Sequence, residues 1–136
     1  MELGSEAPGF SNNYPSDIYF YLNGIELGYW TSPGDFGDTR GTFTPEWWPP
    51  HLNQYGLLKL IRINKEGTFI DGCRISDVSL EQIQLNYKSD ITFRIAVTDA
   101  SVNKRGLTIF GKNFGNYSQE LIARVLYDVE EEHKTQ

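Results

Sequence analysis

The chain of 136 residues has one cysteine, one methionine, two histidines and few basic residues. Cys73 stands alone, so no internal disulfide can form and a thiolate zinc site is excluded. A lone cysteine fits a reducing, cytoplasmic setting. Lys and Arg number 12 against 18 Asp and Glu, a net charge of -6, whereas a free-standing nucleic-acid binder is usually basic. No apolar run reaches the roughly 18 residues of a membrane-spanning helix. The start, Met1-Glu-Leu-Gly-Ser-Glu6, lacks the basic and apolar parts of a signal peptide. Without an export signal, the sequon Asn116-Tyr-Ser118 reads as chance. Also missing are a Gly-x-Ser-x-Gly elbow, a Gly-x-Gly-x-x-Gly turn and a phosphate loop. These gaps remove the common triad hydrolase and nucleotide-binding readings, and no cofactor is expected.

What is present is aromatic and turn-rich: 14% Phe, Trp and Tyr, with 13 Gly. That balance favours strands over helices. Residues 1–17 read as an irregular lead-in, punctuated by Pro8-Gly9, Asn12-Asn13 and Pro15-Ser16. Strands are expected over Ile18–Leu22 and Ile25–Trp30, joined by Asn23-Gly24, a type I′ hairpin signal. Alternation would put Ile25, Leu27 and Tyr29 on one face. Tyr55–Asn64, a near-continuous apolar run, suggests a strand covered on both sides. Shorter strands follow at Thr68–Ile70, Cys73–Ile75, Ile91–Val97 and Leu107–Phe110, with turns at Lys65-Glu66-Gly67 and Asp71-Gly72. Ser79-Leu-Glu-Gln82 spells a capping box, enough for one helical turn. Gln119–Val129 reads as a last strand, with a helix as its rival by propensity. Residues 130–136 form a charged tail. The sum is one all-β domain over residues 1–136, a β-sandwich of jelly-roll, galactose-binding-like type with at most one short helical turn.

The segment Thr31–Gln54 has no period. With its flanks Trp30 and Tyr55 it holds all three tryptophans, and four of the six prolines lie in it: Pro33, Pro45, Pro49 and Pro50. Such a loop is either a packed cover or a binding surface. Trp30 and Trp48 are candidates to stack on a flat or sugar ligand. Asp35 and Arg40 are candidates to pair with its polar groups, and Asn53 and Tyr55 to close the rim. Trp47 and Trp48 are adjacent, so in an extended chain they point apart and one of them is buried. Asp35 and Asp38 could offer oxygens to a hard cation, but Asp-Gly turns explain them better, and no metal site is expected. Glu46 with Asp35 or Glu26 could be drawn as a glycosidase pair, but sequence sets no distance between them.

A resemblance adds to this. The strings Ser5-Glu-Ala-Pro-Gly-Phe-Ser-Asn-Asn-Tyr-Pro-Ser-Asp17, Leu22-Asn-Gly-Ile-Glu-Leu-Gly28 and Trp30-Thr-Ser-Pro-Gly-Asp-Phe-Gly37 carry it. So do Pro45-Glu-Trp-Trp-Pro49, Gln54-Tyr-Gly-Leu-Leu-Lys59, Asp71-Gly72, Ser76-Asp-Val78 and Phe110-Gly-Lys-Asn-Phe-Gly-Asn-Tyr117. Over roughly residues 5–128 the chain resembles the C-terminal region of bacterial transcriptional regulators with an N-terminal winged helix of the ArsR type. The hairpin at Asn23-Gly24 is also similar to those of galactose-binding-like jelly rolls. The resemblance implies a non-catalytic ligand-sensing or interaction domain, with DNA reached only through a separate winged helix that this chain lacks. In the family more sequence precedes the Ser5 string, which implies a shortened domain and an open sheet edge. Two other readings stand beside it, a carbohydrate-binding module and a ligand-free dimerisation domain. The expected partners are a small molecule or sugar and a second copy of the chain, not a membrane.

Overall fold

The structure, a computed structural model, describes residues 1–129; the expected charged tail at 130–136 lies outside them. It is all-β. Among the described residues nine short strands form three antiparallel sheets, and one helical turn accompanies them. The first sheet has the order β4-β1-β9, with β1 Glu2–Glu6, β4 Leu57–Leu58 and β9 Gly106–Phe110. The second has the order β3-β2-β8, with β2 Ser16–Leu22, β3 Ile25–Ser32 and β8 Phe93–Ala96. The third has the order β5-β6-β7, with β5 Ile61–Ile63, β6 Thr68–Ile70 and β7 Cys73–Ser76. Leu3, Ile18, Phe20, Leu27 and Ile70 bring all three sheets to one core, which Ile83 of the helical turn joins.

Local turn chemistry accounts for the hairpins. Asn23 and Gly24 have φ of 48° and 79°, and Asp71 and Gly72 have 49° and 86°, the positive pairs that a type I′ turn needs. The helical turn α1, Leu80–Ile83, carries both halves of its capping box: Ser79 accepts from the Gln82 N–H, and the Gln82 side chain accepts from the Ser79 N–H.

Four expectations are corrected. The lead-in over residues 1–17 is not irregular, because β1 lies within it as the central strand of its sheet, and β2 starts at Ser16. The strand expected over Tyr55–Asn64 is split. Leu57–Leu58 pairs with β1 and Ile61–Ile63 with β6, and Leu60 between them is 60% exposed. The expected strand Gln119–Val129 does not form, and the backbone there has no regular structure.

The fourth correction concerns β3. Phe20 opposes Gly28 while Tyr21 opposes Glu26, so Leu27 is an extra residue in the ladder. This bulge reverses the parity of every residue after it. Leu27 stays in the core, Tyr29 turns out to 50% exposure, and Trp30 turns in against the core. Gly28 makes the bulge with φ of 131°, and a Cβ there would sit 2.9 Å from Ile75 Cδ1.

Buried Glu2 locks the first sheet to the loops. Its carboxylate accepts from the backbone N–H groups of Gly56 at 2.8 Å, Asn116 at 3.0 Å and Tyr117 at 3.2 Å. A Cβ on Gly115 would lie 2.3 Å from the same carboxylate, so only glycine lets the turn close over it.

Candidate functional site

The aperiodic segment 31–54 is mostly a packed cover. Asp35 bridges to Ser11, and Phe36 to Tyr55, as isolated antiparallel pairs. Gln54 is fully buried, and its amide donates to the carbonyls of Pro49 and Leu52 at 2.9 Å each. Thr44 Oγ1 donates to the Gln54 carbonyl and accepts from the Gly115 N–H. These bonds satisfy backbone groups that no sheet serves.

Where the cover meets β1 and β9, a cleft of about 680 Å³ opens. Glu6 and Ala7 from the end of β1, Asp35, Trp48, Leu52 and Asn53 from the cover, and Arg105 and Thr108 from around β9 line it. Asp35 is 2% exposed and accepts from the Ala7 N–H at 2.9 Å. Burial raises its carboxyl above the usual carboxylate range. The Ala7 N–H opposes that rise, Glu6 as a nearby like charge adds to it, and Asn53 opposes it. Asn53 Nδ2 donates to Thr108 Oγ1 at 2.7 Å, and its carbonyl accepts from Trp48 Nε1 at 2.8 Å. Asn53 therefore ties the aromatic wall to the polar strand opposite it.

Three of the six sequence candidates, Asp35, Trp48 and Asn53, thus meet in one cleft. The other three lie elsewhere. Trp30 faces the core, with Lys59 Nζ 4.7 Å over its ring. Arg40 spans the carbonyls of Pro45 and Trp48 and so braces the turn behind the wall. Tyr55 stacks on Phe36, with ring centroids 5.3 Å apart, and donates to Asp38 at 2.8 Å. That bond holds Asp38 below its ordinary value; burial, then Asp38, raises Tyr55. Of the paired tryptophans, Trp47 is 72% exposed and lies outside the cleft lining, while Trp48 is half-buried. Glu46 and Glu26, drawn earlier as partners of Asp35, do not line the cleft.

The sequence reading missed Glu6, Leu52 and Thr108, and Arg105 reads there only as one of several scattered basic residues that an anionic ligand could use. Glu6 and Thr108 carry no signal of their own; pairing of β1 with β9 in register Ser5 to Leu107 and Gly4 to Thr108 brings them to one rim. Among the described residues no group of three or more His, Cys, Asp or Glu could hold a metal ion, and no helix is long and apolar enough to cross a membrane. The chain matches no protein-family model, no curated protein and no solved structure.

Proposed function

We propose that the chain is a non-catalytic binding domain whose cleft takes a small hydroxyl-rich molecule, of sugar or polyol class. The observation that carries this reading is the division of the cleft. Trp48 and Leu52 offer an apolar wall, and Glu6, Asp35, Asn53, Thr108 and Arg105 offer acceptors and donors. A polyhydroxylated ring has the matching pair of surfaces, a C–H face and a rim of hydroxyls. Within the resemblance to winged-helix regulators, such a domain acts as a sensor. Its ligand would bind one arrangement of the cover better and so bias an attached DNA-binding module.

The test is calorimetry and thermal shift against a panel of monosaccharides and polyols, with the Glu6→Gln and Arg105→Ala variants. Both side chains are exposed, so neither change should disturb folding. Binding that weakens at least ~10-fold in each variant, about 1.4 kcal/mol, supports the reading. Binding by no compound, or binding indifferent to both variants, sinks it.

One observation favours a second reading, glycoside hydrolysis. Asp35 has a raised carboxyl and a like charge, Glu6, beside it in the same cleft. Turnover of a chromogenic glycoside that vanishes in Asp35→Asn would select it, whereas binding without turnover selects the sensor.

A further inference from the structure

The chain carries two exposed apolar surfaces of different kinds. One is an aromatic patch. Trp47 and Trp48 both meet Phe114 edge-on, with centroids 5.7 Å and 5.5 Å away. The Phe43 N–H donates to the Gly115 carbonyl, which ties the backbone at Phe43 to the same turn. Trp47, Phe43 and Tyr117 remain 72%, 47% and 48% exposed.

The other surface is the segment 119–129. Leu121, Ile122, Val125, Leu126 and Val129 are 51%, 62%, 43%, 89% and 79% exposed. Among the described residues this segment makes no hydrogen bond and joins no sheet. As a strand it would divide its aliphatic residues, with Ile122 and Leu126 on the face of Arg124 and Asp128 and away from Leu121, Val125 and Val129. As a helix, at about 100° per residue, those five aliphatic side chains fall within an arc of about 140°. Glu120, Arg124 and Asp128 fall outside the arc, spaced four apart with alternating sign, as helix-stabilising pairs are.

We propose that residues Gln119–Val129 fold into an amphipathic helix on the aromatic patch of a second copy of this chain, each copy giving its helix to the other. The occupant follows from the geometry of the exit. The Tyr117 N–H is held by Glu2, and Ser118 has φ of 49° with its Oγ accepting from the Asn113 N–H at 2.9 Å. The exit from the turn is therefore fixed, and with it Trp47 of the patch and Leu126 and Val129 of the segment stay 72%, 89% and 79% exposed. A two-fold pair buries the contact twice, which a short helix needs to approach the ~1,600 Å² of a typical specific interface. This proposal stands independently of the cleft and its ligand.

Sedimentation velocity of the full chain from about 1 to 100 μM tests it, with far-UV circular dichroism alongside. A dimer whose helical signal grows with concentration is expected. Leu126→Asp and Trp47→Ala alter exposed side chains, so each should leave the monomer folded while weakening association at least ~10-fold. Mixing the two variants should restore part of the association, because one intact patch then meets one intact segment. A monomer throughout the range, a dimer unaffected by both variants, or a mixture no tighter than either variant alone overturns the proposal.

Discussion

At the scale of single residues, two carboxylates illustrate opposite solutions to burial. Glu2 has no exposed surface and meets three backbone N–H groups. Truncating it would strand those donors, each costing about 1–3 kcal/mol when buried without a partner. Glu2→Ala should therefore lower unfolding free energy by roughly 3 kcal/mol or more, read from chemical denaturation. Asp35 has a single backbone donor against its burial, so its proton is held more tightly in the folded state. The sign follows from linkage. Below the ordinary carboxyl value both states are protonated. Above it the unfolded chain ionises first, so folding stability declines as pH rises, until Asp35 ionises in the folded state too. Asp35→Asn removes that decline. Stability measured from pH 3 upward should show a shallower loss in the variant than in the parent across that window. An identical pH slope would mean that Asp35 is not the group responsible.

At the scale of elements, legibility followed the range of the interactions. The Asn23-Gly24 and Asp71-Gly72 turns and the Ser79 capping box were readable because neighbouring residues contain their whole chemistry. β1 was not. Glu2-Leu-Gly-Ser-Glu6 has one aliphatic residue, and its place depends on pairing with Leu57–Leu58 and Gly106–Phe110. Ser5 is satisfied by Ser32 and Tyr14, again from outside the strand. Tyr29 was placed on the face of Ile25 and Leu27 for a related reason: alternation assumes an unbroken ladder, and the bulge at Leu27-Gly28 breaks it. The same bulge makes a prediction. Gly28→Ala places a Cβ against Ile75 at a positive φ, so it should cost about 1–3 kcal/mol, measured by denaturation. Loss of less than a few tenths would mean that the bulge relaxes at no cost. The cleft was half legible. Residue type pointed to Asp35, Trp48 and Asn53 in the cover, but not to Glu6 and Thr108, which strand pairing supplies.

At the scale of the whole molecule, the two ends of the described chain differ in what they hold together. β1 is the middle strand of its sheet, Leu3 sits in the common core, and Glu2 ties the strand to the loops at Gly56 and Asn116–Tyr117. It also supplies Glu6 and Ala7 to the cleft. Residues 120–129 are exposed throughout and contribute to no core. Their removal takes no residue from the core, whereas loss of β1 opens a sheet at its centre and leaves β4 and β9 without a common partner. A chain ending at Ser118 should therefore unfold in one cooperative transition, with a midpoint at low concentration within a few degrees of the parent. A chain beginning at Ala7 should show no cooperative transition. Differential scanning calorimetry of both at micromolar concentration separates them. Cooperative unfolding of the chain lacking β1 would show that the second and third sheets fold without the first, and that Glu2 fastens an accessory rather than the centre of the domain.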